Sequence, residues 1–139
     1  MSHVIKGMHS NGVHGILVVQ ICREKGDPPI RPQVEVFCNQ NESLRRCDIS
    51  ILEEAYLDPI GANYHDDISH RLDSVKEKHK KLLEKGVSKV HWFYRGPVGL
   101  AALIAAKFAN GPCVFFYQLD RVNGEEQYQN WGMLRRPEP

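Results

Sequence analysis

The chain has 139 residues, of which 25% are charged and 42% hydrophobic, with a net charge of +1. That length and composition lead to one ordinary globular domain, spanning residues 13–134 with loose ends at 1–12 and 135–139. The near-neutral charge argues against duplex nucleic acid as a partner. No apolar run approaches the about 20 residues of a membrane span, and the opening MSHVIKGMHSNGVHG lacks a signal peptide's apolar core, so a cytoplasmic location is expected.

The first ordered element should be a strand from Gly15 to Arg23 (GILVVQICR), β-branched and nearly continuously apolar, hence covered on both faces. Glu24 to Pro32 carries three prolines and reads as a loop. Gln33 to Asn39 (QVEVFCN) alternates apolar and polar residues, which suits a second strand. Gln40 to Arg46 reads as a polar connection. Cys47 to Leu57 mixes two periods and fits either a strand or a short helix, with an extended segment through Leu52 favoured. After the loop Asp58–His65, Asp66-Asp67 opens a long helix. Its apolar face is Ile68, Leu72, Val75, His79 and Leu82-Leu83, with acids early, lysines late and Gly86 placed to end it.

The strand Lys89–Tyr94 follows, and then a small-residue helix from Pro97, a residue favoured at the first helical position because its missing N–H has no partner there anyway. Pro112 to Leu119 reads as a strand. Asp120 to Glu126 holds an Asn-Gly turn, and Gln127 to Leu134 closes a hairpin with the strand before it. Strands bracketing helices predict crossover connections. The expected fold is α/β: a small Rossmann-like, mainly parallel sheet flanked by helices, with a C-terminal antiparallel hairpin. Trp92 and Tyr117 are expected in its core, while Tyr128 and Trp131 suit an oligomer surface.

The stretch with most chemical content is Arg95-Gly96-Pro97-Val98-Gly99. A helix that starts directly after a strand points free backbone N–H groups into the crevice at the strand's carboxyl end, and such a crevice attracts anions. Arg95 adds positive charge, and Gly96 and Gly99 permit close backbone approach. The opposing view is a turn that merely connects. Arg23, Lys25 and Arg31, in the loop after the first strand, should share that edge, although charged loop residues also serve solubility. Tyr64, ahead of the long helix, offers an aromatic platform for a base.

Neither GxGxxG nor a P-loop pattern is present, so no nucleotide cofactor is expected. Cys22, Cys38, Cys47 and Cys113 have no CxxC spacing and read as reduced, mostly buried thiols. The seven histidines show no i, i+4 ligand pair, so no metal site is expected. No nucleophile elbow or paired carboxylates identify a catalytic residue. A His or Lys beside Arg95 would suffice for phosphodiester cleavage by a neighbouring 2′-hydroxyl.

The segment GVSKVHWFYRGPVGLAALIAAKFANGPCVFFYQLD, continuing to YQNWGML, resembles the second half of a SAVED domain, a member of the wider CARF-like family of cyclic-oligonucleotide sensors. The matching positions are Gly96-Pro97, Leu100-Ala101, Tyr117, Asp120 and Tyr128, and the resemblance covers roughly residues 66–134. SAVED domains hold two CARF-like halves, and a chain of this length is expected to hold one, without a fused effector. The resemblance therefore implies a homodimer that rebuilds a two-half pocket around a cyclic oligoadenylate. It implies a sponge or sensor in CRISPR-linked or related antiviral signalling. A metal-independent ring nuclease and a ligand-gated subunit of a separate effector protein are the alternatives. A Rossmann-like domain of unrelated function is the remaining one.

Overall fold

The computed structural model describes the backbone of residues 12–47, 49–61, 64–107, 113–122 and 125–134, and the side chains in those ranges apart from 64–65, 119–122 and 125–134. The elements are β1 (His14–Ile21), α1 (Arg31–Gln40), α2 (Glu42–Arg45), β2 (Ile51–Leu57), α3 (Tyr64–Glu84), β3 (Lys89–Arg95), α4 (Val98–Lys107), β4 (Cys113–Val122) and β5 (Glu125–Leu134). They form one five-stranded sheet of order β2-β1-β3-β4-β5. The first four strands run parallel and β5 returns antiparallel to β4. This is the expected Rossmann-like α/β sheet with its closing hairpin. The expected Asn123-Gly124 turn lies outside the described residues, as do residues 1–11 of the loose end expected at 1–12 and the one expected at 135–139.

All eight residues of β1 are buried, as its unbroken apolar run requires of a central parallel strand. Its two faces feed two cores. Leu17, Val19 and Ile21 pack with Val90, Trp92 and Tyr94 under α3 and α4. Ile16 and Val18 pack with Phe93, Phe115 and Tyr117 under α1 and α2. Trp92 and Tyr117 are fully buried, as expected.

One segment differs in kind from its sequence reading. Gln33–Asn39 is not a strand but most of α1, with a proline in its first turn. The alternation of Val34 and Val36 is misleading, because Val36 is 53% exposed while Val34 is fully buried. The face that holds α1 to the sheet is Ile30, Val34, Phe37 and Cys38, at helical spacing. Gln40–Arg46 is likewise not a plain connection. It contains α2, whose first turn is capped by Asn41 Oδ1 accepting from the N–H groups of Ser43 and Leu44. The ambiguous segment resolves as strand, but it begins at Ile51 and runs past Leu52 to Leu57. With these changes every parallel step has its helical crossover.

Helix α3 ends in a Schellman motif: Val87 N–H donates to Leu82 O (3.2 Å) and Gly86 N–H to Leu83 O (3.0 Å), with Gly86 at φ +85°. Its inward face places His79 between Val75 and Leu82, and His79 is 8% exposed. Burial lowers the His79 imidazole below its ordinary value, so the folded chain holds it neutral. The unfolded chain protonates it near pH about 6.5, so the stability tied to His79 is present above that pH and falls below it. His79→Leu is expected to make the decline of Tm between about pH 7 and about pH 5 shallower. An unchanged slope in a pH series of thermal melts would contradict this.

Candidate functional site

Parallel strands that leave the same edge toward opposite faces open a crevice between their carboxyl ends. Here that point lies between β1 and β3. The chain leaves β1 for α1 on one face and leaves β3 for α4 on the other. The register sets Arg95 beside Gln20, so the Arg23–Arg31 loop and the Arg95–Gly99 turn sit at one edge, as the sequence reading required.

The turn is built by Tyr94. Its ring is fully buried and its hydroxyl donates to Pro97 O at 2.7 Å. Burial holds this phenol well above its ordinary pKa, so it stays protonated and keeps donating. Gly96 lies directly over it: a Cβ there would stand 2.6 Å from Tyr94 Oη, 2.9 Å from Cζ and 3.0 Å from Ile21 Cγ1. Only glycine fits, and the turn can take one path. Helix α4 begins with Ala101 N–H donating to Pro97 O. As at any helix start, the N–H groups of Val98, Gly99 and Leu100 precede the first intrahelical donor, Ala101 N–H, and have no acceptor within the helix. Val98 is 73% exposed, and a Cβ on Gly99 would meet nothing within 4 Å. Gly99 is therefore not a packing glycine. Among the described residues nothing crowds Gly99 in the first turn of α4, and the partly buried Arg95 ends the strand just before it.

The loop after β1 is fastened by a residue that sequence reasoning passed over. Gln20, 1% exposed on the α1 face, donates from Nε2 to Pro28 O (3.0 Å) and accepts Ile30 N–H at Oε1 (2.9 Å). The signal was there, as the lone amide inside ILVVQIC. Asp27 Oδ2 accepts the N–H groups of Arg23 (2.7 Å) and Glu24 (3.2 Å), and the Tyr56 hydroxyl at the end of β2 donates to Asp27 O. Arg23 and Lys25 are exposed on this ordered loop. Arg31 starts α1 and pairs along it with Glu35 at 3.2 Å. That exposed pair contributes only about 0.3–0.5 kcal/mol and yields readily to a stronger anion.

A third fastener holds the loop after β2. Arg71 donates to Asp58 O (3.0 and 2.5 Å), Pro59 O (2.5 Å) and Asp67 O (2.9 Å), while Asp67 Oδ2 accepts Gly61 N–H at 2.7 Å. Tyr64 is the first residue of α3 at this edge, but its side chain lies outside the described residues. Three connections at one edge are thus set by side chains before any ligand arrives, and a preorganised edge loses less entropy on binding. Gln20→Ala would leave the buried Ile30 N–H without its acceptor. We expect a loss of about 1–3 kcal/mol, with faster hydrogen exchange at the Ile30 amide. Unchanged exchange there would contradict the fastening role.

Histidines are concentrated elsewhere. His14 and His91, both buried, join through Nδ1 and Nε2 at 2.9 Å, and His91 Nδ1 meets Tyr117 Oη at 3.0 Å. This chain lies toward the amino end of β1 and β3, so His91 does not stand beside Arg95 as a base. The thiols are free. Only Cys22 is fully buried, Cys38 and Cys47 are half-buried and Cys113 is exposed, so "mostly buried" overstated them. The side chains of Tyr128 and Trp131 lie outside the described residues. Among the described residues, no helix is long and apolar enough to cross a membrane.

No family model matches the chain, and no curated protein matches it by sequence. Its fold, however, is found in solved structures. One is the Acinetobacter baumannii Cap4 SAVED/CARF-domain containing receptor with the cyclic trinucleotide 3'3'3'-cAAA, at TM-score 0.56 and 14% identity over 96% of this chain. Another is the receptor with 2'3'3'-cAAA, at TM-score 0.57 and 18% identity over 96% of this chain. The chain spans 27% and 28% of the length of those two receptor chains. The shared architecture is that of the SAVED/CARF resemblance read from the sequence.

Proposed function

We propose that this chain binds a cyclic oligonucleotide, a cyclic oligoadenylate first, as a homodimer in prokaryotic antiviral signalling of the CRISPR type III or a related kind. It acts there as a sponge or sensor. The observation that carries this reading is the Arg95–Gly99 turn: a helix start that is uncrowded at Gly99 among the described residues, directly after a strand that ends in Arg95, at the β1–β3 crevice. A cyclic oligoadenylate presents a ring of phosphates, each suited to a helix N-terminus and an arginine fork. Arg95 and the backbone of Gly96, Pro97, Val98 and Gly99 contact phosphate, with Arg23 and Lys25 approaching from the facing loop and Arg31 from the start of α1. Tyr64 stacks on a base. The ligand carried by the Cap4 receptors of the same fold supports this choice among anions.

The homodimer follows from the ligand's shape. One crevice reaches one side of a ring, and a ring with two-fold symmetry is matched by two copies of the same surface. Incubation with labelled cyclic tri-, tetra- and hexa-adenylate, followed by native gels and chromatography of the products, tests the reading. Retention of intact ring is expected. Linear product without added metal would turn the sponge or sensor into a ring nuclease, and retention of no cyclic nucleotide would overturn the proposal.

A further inference from the structure

Away from the carboxyl edge, three ligating side chains from separate elements converge. His14 opens β1, His91 lies in β3 and Cys47 follows α2. One ligating atom from each lies within 4.8 Å of the other two. His14 Nδ1 and His91 Nε2 are already 2.9 Å apart. We propose that His14, Cys47 and His91 supply three ligands of a zinc site, with water in the fourth position, that ties the α2–β2 connection to the first and third strands.

The chemistry of the donors fits. Zinc takes imidazole nitrogen at about 2.0–2.1 Å and thiolate sulfur at about 2.3 Å, in tetrahedral arrangement. Seating it requires the two nitrogens to part slightly and the sulfur to close in. Cys47 is half-buried, and its thiol donates to Ser43 O at 3.2 Å, a weak contact that ligation to a metal can replace. His91 comes with the outer partner such ligands use: its Nδ1 meets Tyr117 Oη at 3.0 Å, which fixes the ring and leaves Nε2 for the ion. Phe115 stacks on the His91 ring at 5.0 Å and limits its rotation. Burial raises the Cys47 thiol, while Lys89 opposes that rise.

The protons balance simply. Zinc takes each imidazole in its neutral form, with the one ring proton on the nitrogen facing away from the ion, Nε2 in His14 and Nδ1 in His91. The Cys47 thiol releases one proton to solvent as the sulfur–zinc bond forms. Binding therefore liberates one proton per ion and weakens as pH falls.

The test uses the full chain stripped with a chelator and titrated with zinc against a chromophoric competitor, and in parallel with cobalt. One equivalent per chain is expected, with a rise in Tm and a thiolate-to-cobalt charge-transfer absorption. Cys47→Ser should abolish that absorption and weaken zinc by 100-fold or more, and His91→Gln should weaken zinc comparably. Cys113→Ser, which alters the exposed thiol, should keep both signals. Circular dichroism of each variant separates lost ligation from lost fold. Absence of stoichiometric binding, or an absorption that survives Cys47→Ser, would overturn the proposal.

Discussion

Replacing Gly96 with alanine should destabilise the chain by about 1–3 kcal/mol, the usual cost of forcing a methyl group into a packed interior. For a domain of this size that corresponds to a fall in Tm of about 4–12 °C. The new Cβ would collide with the Tyr94 phenol and with Ile21, at 2.6–3.0 Å. Neither neighbour can step aside. Tyr94 is fully buried and Ile21 is 4% exposed. The side chain displaced at least cost is Tyr94, and moving it breaks the hydroxyl's bond to Pro97 O. The damage therefore spreads from packing to the shape of the turn. Affinity for an anion at the start of α4 should fall along with stability. Thermal melts and ligand binding measured on the same preparation check both. A Tm within about 1 °C of the parent would show that the turn has room that the geometry denies it.

Arg95→Ala tests the chemistry of the turn, with a thermal melt of the variant to separate it from any effect on the fold. Arg95 is half-buried at the end of β3, outside both apolar cores. A hydrogen bond to a charged group contributes about 1.5–3 kcal/mol, so removing this guanidinium should weaken cyclic oligoadenylate binding about 10- to 100-fold per copy. Arg95→Lys should fall between, keeping the charge and losing the planar fork. Unaltered affinity in Arg95→Ala would remove this turn from the site while leaving the architecture intact.

The strands of the sheet were legible because burial leaves a direct mark on composition. GILVVQIC and VHWFY have few ways to exist except as covered strands. The two-fold alternation in QVEVF was weaker evidence. It spans too few residues to outweigh the helical face that Ile30, Val34, Phe37 and Cys38 make, and that face begins inside what reads as a proline-rich loop. The Arg95–Gly99 turn could be read as a ligand edge because a short strand-helix junction exposes backbone donors wherever it occurs. Of the devices that hold that edge, Gln20 left a mark as the one amide inside ILVVQIC, whereas Arg71 and Tyr94 were beyond reach, because they act on backbone carbonyls, which leave no residue-specific signature. The histidine pair was hidden for a different reason. His14 and His91 are 77 residues apart, and only the β1–β3 pairing brings them together.

The central claim is that the β1–β3 carboxyl edge holds a cyclic oligonucleotide between two copies of the chain. Titration calorimetry of the protein with cyclic tri-, tetra- and hexa-adenylate, repeated with Arg95→Ala, tests it most directly. The account predicts saturable binding of at least one of these rings at one ring per two chains, weakened about 10-fold or more by the substitution. Absence of binding to all three, or binding at one ring per chain that Arg95→Ala leaves unchanged, would contradict it.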